Sequence, residues 1–252
     1  MSIDFDAIES GFTPTDDGKC TFSKNGIVTT QSSFASEAGA EILRAGGNAV
    51  DAAIAAALAL GVAEPQASGL GGQTMMLIRQ QDQVIAVDGS SRAPSLAHVS
   101  AVYKRDRSTG YRATTVPSTP ATLGYIQNRY GQLSWKQVVE PAIFLAKEGF
   151  PISELQNRLQ IREVENFKNV ESLSGAKYFL NNGEPFQPGD IFKQPDLAKT
   201  LERIADKGIE EFYRGGIAQQ IDADMRENGG LLRMDDLALI PYPIEREPLV
   251  RS

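Results

Sequence analysis

Apolar and polar positions follow distinct rhythms along this chain, and each rhythm predicts an element. Residues 1–25 are polar and irregular, after which Ile27-Val28-Thr29-Thr30 reads as a short β-branched strand. Ser32 or Ser33 suits the N-cap of a helix reaching about Arg44, where Gly46-Gly47 stops it. In the next run, residues 46–61, Val50, Ile54 and Leu58 recur at four-residue spacing with alanines between them. That pattern predicts a buried helix lying very close to a neighbouring layer. Glu64-Pro65 ends it, and the cluster Gly69-Leu70-Gly71-Gly72 follows, where missing Cβ atoms permit positive φ and close approach of a backbone or a small ligand.

Thr74-Met75-Met76-Leu77-Ile78-Arg79 and Val84-Ile85-Ala86-Val87-Asp88 then read as a hairpin about the polar turn Gln80-Gln81-Asp82-Gln83. From Ser118 the texture turns helical, with helical periodicity near 119–130, 135–148, 153–166, 195–207 and 215–228. Gly131, Gly149-Phe150-Pro151, Asn182-Gly183 and Gly229-Gly230 punctuate these segments. Residues 244–252 alternate like a strand beginning to form without a neighbour, an expectation that further polypeptide follows. The chain thus divides into an irregular segment at 1–25, a part with strands and the alanine-rich helix at 26–117, and a helical lobe at 118–252.

Length and an apolar fraction of 41% allow a sizeable core. A net charge of −7, with no Lys/Arg cluster interleaved with aromatics, argues against a nucleic-acid partner. The longest apolar run, 52–63, is too short to span a bilayer, and the start lacks a basic region followed by a hydrophobic stretch, which favours a cytoplasmic setting. One cysteine, Cys20, and one histidine, His98, predict no internal disulfide and no His-rich metal site. The glycine cluster is no phosphate loop: no Lys-Ser/Thr follows it, and the helix precedes it rather than follows. A tight packing turn and a ligand-facing loop both remain open for it. Charged pairs such as Lys147-Glu148, and Glu163 with Glu165, read as solvated faces.

The combination of blocks resembles the N-terminal part of a γ-glutamyltransferase, or glutathione hydrolase, of the N-terminal nucleophile class. The blocks are residues 38–72 with GGNAVDAAIAAALALGVAEP and SGLGG, residues 88–94, Val116-Pro117-Ser118-Thr119-Pro120, and Tyr130-Gly131-Gln132-Leu133-Ser134-Trp135. Residues 140–150, Phe212-Tyr213-Arg214-Gly215-Gly216-Ile217-Ala218, Asn228-Gly229-Gly230-Leu231-Leu232 and Asp235-Asp236-Leu237 complete the set. The resemblance implies an α+β fold, a partial αββα sandwich with a helical second half, whose two sheets are completed by polypeptide outside this chain. It implies a proenzyme that cuts itself into two subunits and exposes a threonine nucleophile whose own α-amino group is the base. Nothing here matches that threonine: Thr29-Thr30 and Thr114-Thr115 are internal, and Ser2 would need removal of Met1. This chain therefore reads as a large-subunit portion, inactive alone, with no catalytic residue, cofactor or metal of its own and a small subunit or C-terminal remainder as partner.

One departure bears on substrate. The family's Arg-Glu-x-Ala-Pro pattern, whose arginine holds the donor's α-carboxylate, is here Ser90-Ser91-Arg92-Ala93-Pro94. Serine cannot supply a bidentate clamp. Two residues along an extended segment preserve the face, so Arg92 is a candidate to enter the same pocket beside Ser90 and Ser91; an ion pair with Asp88 is its structural alternative. Gln73 after the glycines is a second difference, serving either the pocket or a backbone group at the turn. The substrate class is then γ-glutamyl or related small carboxylated amides, with oxamate-like amides or acylase substrates as alternatives. A non-catalytic subunit that binds a carboxylate is the rival of a different class.

Overall fold

The structure, a computed structural model, describes residues 23–98, 100, 108–169 and 174–249. Ser2, Cys20 and residues 250–252 lie outside them. Helix α1 (Ser33–Arg44) leads into α2 (Ala49–Ala63), then strands β1 (Thr74–Gln80) and β2 (Gln83–Gly89). After residue 118 come α3 (Thr119–Tyr130), α4 (Trp135–Glu148), β3 (Phe150–Pro151), α5 (Glu154–Asn169), α6 (Ser174–Phe179) and β4 (Ile191–Phe192). The chain continues through α7 (Pro195–Lys207), α8 (Glu210–Tyr213), α9 (Gly216–Glu227), α10 (Met234–Ala238) and β5 (Ile244–Arg246).

The alanine-rich helix begins where Asn48 caps it. Asn48 Oδ1 accepts from the N–H of Val50 (2.9 Å) and Asp51 (3.0 Å), while Asp51 Oδ2 accepts from Asn48 N–H (2.8 Å). This reciprocal box satisfies donors that a helix start leaves orphaned. Asp51 is fully buried and also accepts from Gln127 Nε2 (2.7 Å) and the backbone N–H of Gln132 (3.0 Å), tying α2 to the turn after α3. The predicted close neighbour of α2 is α1. A Cβ on Gly39 would meet Ala52 O at 2.9 Å and Ala56 Cβ at 3.3 Å, so the crossing depends on small residues in both helices.

The strand expected at residues 27–30 does not form. No strand among the described residues pairs with them. Their polar groups go instead to the start of α1: Thr30 N–H donates to Ser36 Oγ (3.1 Å) and Thr30 Oγ1 to Ser32 O (2.5 Å). Val28 lies against Gly39, whose added Cβ would sit 2.8 Å from Val28 Cγ1.

The hairpin forms with a two-residue turn, Gln80 opposite Gln83, and Gln81 takes a positive φ of 53°. β5 pairs antiparallel with β2, placing Ile244 opposite Asp88 and Arg246 opposite Ala86. The alternating C-terminal segment thus does find a neighbour: the hairpin leaves the β2 edge open to it. Glu245, on the face of β5 turned toward the helices, accepts from Tyr125 Oη (3.1 Å) and Tyr130 Oη and pairs with Arg129 Nε (2.8 Å), docking the strand on α3. Met76, Ile78, Ile85 and Val87 face the core that α2, α3, α4 and α7 share, with Ile54, Leu123, Ile126, Val139 and Leu201 among its fully buried members. Met75, Leu77, Val84 and Ile244 are on the other face and exposed. A second apolar cluster gathers Val116, Phe212, Tyr213, Ile217 and Leu237 beneath the end of the sheet.

Candidate functional site

The end of β2 is held from two sides. Gly89 has no room for a side chain, because a Cβ there would meet Thr122 Oγ1 at 2.2 Å and the cross-strand Thr74 O at 2.3 Å. Its carbonyl accepts from Ser118 Oγ (2.5 Å). Gly72 O accepts the N–H groups of Ser118 (2.9 Å) and Thr119 (3.2 Å), which brings the glycine cluster, the strand end and the start of α3 together. The cluster achieves this by close approach rather than by unusual dihedrals: none of Gly69, Gly71 and Gly72 has positive φ. A Cβ on Gly61 would touch Gly69 Cα at 3.2 Å, the point where the loop folds back on α2. Tyr213, fully buried, donates to Pro117 O (2.8 Å) and accepts from Ala121 N–H (3.1 Å), and burial pushes its phenol above the ordinary range.

From this frame the three candidate residues emerge in sequence. Ser90 turns back on Asp88: its Oγ (2.6 Å) and its N–H (3.2 Å) both donate to Asp88 Oδ1. Ser91 donates from N–H (3.0 Å) and Oγ (3.2 Å) to Gln73 Oε1, so Gln73 joins the glycine loop to the strand end and serves a backbone group there. Arg92 makes no ion pair with Asp88. Its carbonyl accepts from Val116 N–H (2.8 Å), and its Nη2 donates to the carbonyls of Asp236 (2.8 Å) and Leu239 (2.5 Å) at the end of α10. The cation beside Asp88 is Arg246, whose Nε lies 3.2 Å from Asp88 Oδ2. The Ser90 hydroxyl, the Ser90 N–H and Arg246 together hold the Asp88 carboxyl below the usual range.

Ser90 and Ser91 are therefore brought together beside Asp88, Gln73 and Arg246, while the guanidinium of Arg92 is engaged elsewhere. Asp88 is legible in the sequence only as a partner for Arg92. Arg246 shows there as a strand residue, and nothing in the pattern says that its strand pairs with β2. An open cleft of about 1190 Å³ lies along the glycine cluster, lined by Gly61, Gly69, Gly71, Gln73 and, opposite, Lys177 and Lys193; Ser90, Ser91 and Arg92 do not line it. His98 Nδ1 shares a hydrogen bond with Ser100 Oγ (2.8 Å). Among the described residues no group of His, Cys, Asp and Glu has the arrangement to hold a metal ion, and no helix is long and apolar enough to cross a membrane.

Comparison with known proteins gives this arrangement its context. Residues 35–250 match the sequence profile described as Gamma-glutamyltranspeptidase. The glutathione hydrolase proenzyme of Escherichia coli (strain K12) is 38% identical over 236 residues, which are 90% of this chain and 40% of that protein. The glutathione hydrolase proenzyme of Pseudomonas sp. (strain A14) is 36% identical over 85% of this chain and 38% of its own length. The chain thus spans about two fifths of the curated relatives it matches. Among solved structures, Helicobacter pylori γ-glutamyltranspeptidase superposes with a TM-score of 0.87 at 35% identity, covering 92% of this chain and 68% of that one. A cephalosporin acylase from Bacillus halodurans gives 0.83 at 31% identity over 96% of this chain and 47% of that one. The fold is accordingly that of the N-terminal nucleophile hydrolases, and the chain belongs to the γ-glutamyltranspeptidase family, of which it represents the N-terminal, large-subunit part.

Proposed function

We propose that this chain is the large-subunit portion of an enzyme that cleaves γ-glutamyl or related small carboxylated amides, its nucleophile being a threonine at the start of a partner segment. The observation that carries this reading is the open end of β2. Ser90 and Ser91 sit at the strand end beside a sheet face that stays exposed among the described residues, joined to the glycine loop through Gln73. A segment docked on that face with its first residue at the strand end would set the nucleophile beside Ser90 and Ser91. There the threonine hydroxyl adds to the amide carbonyl, the C–N bond breaks with the proton passing to the leaving amine, and water or an acceptor amine resolves the acyl-enzyme. Backbone N–H donors would hold the oxyanion. This mechanism requires no cofactor, and this chain supplies part of the donor pocket rather than the reacting group.

In that pocket the Ser90 and Ser91 hydroxyls, which donate to Asp88 and Gln73, shape the strand end, and Arg92 acts by position. By bonding the carbonyls of Asp236 and Leu239 it fixes the turn that leads into β5. A related reading, in which the donor is an oxamate-like amide or an acylase substrate, draws on Ser90 standing where the family pattern has its carboxylate-binding arginine, and on the acylase among the structural relatives. The test is to purify the protein from its source and identify co-purifying polypeptides by mass spectrometry, then assay amide hydrolysis. A partner beginning with threonine and release of amine from a γ-glutamyl anilide support the proposal. An intact 27.3 kDa species with no partner and no turnover overturns it.

A further inference from the structure

From the geometry at the end of β2 we infer that Arg246, set in place by Asp88, is the group that grips the carboxylate of the donor. This rests on the reading above that the donor carries one. A carboxylate needs a guanidinium fork or an equivalent set of donors, and Ser90 with Ser91 cannot form one. Of the two arginines at this strand end, Arg92 has its Nη2 between two backbone carbonyls, 2.8 and 2.5 Å away. Arg246 differs in each respect. Only its Nε is engaged, on Asp88 Oδ2 at 3.2 Å, its two Nη groups donate to no atom among the described residues, and its side chain is 57% exposed.

The site is built rather than incidental. Ser90 Oγ holds one Asp88 oxygen and Arg246 Nε the other, so the carboxylate that orients the guanidinium is itself fixed by the residue standing in the family's arginine position. Antiparallel pairing puts Arg246 and Asp88 on one face of the sheet, diagonal to each other. Charge-assisted hydrogen bonds from both Nη groups would then take the donor's carboxylate while Asp88 keeps Nε. The grip has moved from the end of one strand to its neighbour, with the ligand chemistry unchanged.

The experiment uses the assembled enzyme, this chain with its nucleophile-bearing partner, and two probes: L-γ-glutamyl-p-nitroanilide and 4-aminobutyryl-p-nitroanilide, which lacks only the α-carboxylate. Arg246→Gln is expected to lower kcat/KM for the carboxylated probe roughly 10- to 100-fold, mainly through KM, and to leave the decarboxylated probe unchanged. Arg246→Lys restores part of that loss. Asp88→Asn, which keeps the guanidinium and removes its charged anchor, raises KM for the carboxylated probe alone, and answers the question if the Gln variant fails to assemble. Equal losses on both probes, or discrimination preserved in the Gln variant, overturn the assignment to Arg246. If the unmodified enzyme does not distinguish the probes, the carboxylated-donor reading itself fails.

Discussion

Arg92 and Asp236 clasp two segments that lie 144 residues apart in sequence: Arg92 Nη2 donates to the Asp236 carbonyl at 2.8 Å. The Asp236 side chain returns the contact, Oδ1 accepting from Ser95 N–H (2.8 Å) and Oδ2 from Arg233 N–H (3.0 Å). A lysine at position 92 carries a point charge on a flexible stem and does not reproduce a planar donor set between two carbonyls. Arg92→Lys is therefore expected to destabilise the chain by about 1–2 kcal/mol, a fall of a few degrees in the melting midpoint. A thermal melt followed by circular dichroism checks it. An unchanged midpoint together with lost donor affinity would instead give Arg92 a direct part in binding.

Gly89→Ala probes the packing that aims the strand end. The added methyl would lie 2.3 Å from Thr74 O, which is backbone, and 2.2 Å from Thr122 Oγ1, so neither neighbour clears it by a simple rotamer change. Overpacking of this kind costs about 1–3 kcal/mol. Because Ser90 follows directly, the substitution is also expected to weaken use of carboxylated donors more than a core substitution of equal cost. Comparing urea midpoints and KM with those of Ile126→Val separates the two effects; equal KM in both variants would dissociate Gly89 from the site.

What could be read from the sequence were the elements whose cause is local. The spacing of Val50, Ile54 and Leu58 gives α2, and the alternation of residues 74–79 and 84–88 gives the hairpin, because each pattern records which face of a single element is buried. The strand expected at residues 27–30 did not form, since a strand is defined by its partner and no strand among the described residues pairs with it. For the same reason the pairing of β5 with β2 was not legible, although the alternation at Ile244-Glu245-Arg246 was. The site divided likewise. Ser90, Ser91 and Arg92 could be singled out by their adjacency to Ala93-Pro94, whereas the destination of the Arg92 side chain and the arrival of Arg246 depend on contacts more than 140 residues apart.

Glu245 makes the docking of β5 dependent on pH. The Tyr130 hydroxyl above all, with Tyr125 and Arg129, holds its carboxyl below the usual range, against the opposing effect of burial. A carboxylate whose folded value is depressed lends stability that is complete above the unfolded value, about 4.3 for glutamate, and is lost as pH falls from there through the folded value. The difference in urea midpoint between the unmodified chain and Glu245→Gln should thus be widest near about pH 6 and shrink steadily toward about pH 3. A gap that stays constant over that range would mean that the charge of Glu245 does not hold the strand.

Asp51 tests how far α2 depends on a single buried acid. Its carboxylate receives the N–H groups of Asn48 and Gln132 and the Gln127 amide, and it is fully buried. Asp51→Ala leaves those donors without acceptors in a dry setting, a cost of about 3 kcal/mol or more. Asp51→Asn keeps an acceptor oxygen and should lose less. Denaturant titration of both variants checks the order; an alanine variant as stable as the asparagine one would show that water replaces the carboxylate.

The uncovered face of the sheet gives the most direct view of what the chain is built to join. Met75 and Leu77 on β1, Val84 on β2 and Ile244 on β5 are 60%, 70%, 42% and 56% exposed on one face of the sheet, whereas their neighbours Met76, Ile78 and Val87 point into the core. Scattered apolar side chains on a surface need no explanation, but four on one face of a single sheet, set around Asp88 and Arg246, signal an interface. The isolated chain should therefore bind a hydrophobic dye, and Leu77→Glu should reduce that binding while shifting its own stability by less than about 0.5 kcal/mol, since the side chain makes few contacts to lose. The same substitution should lower the yield of assembled enzyme, because a segment docking on this face would strip the glutamate of water. Normal assembly and activity in Leu77→Glu would place that segment elsewhere and remove the argument that the end of β2 lies beside the nucleophile.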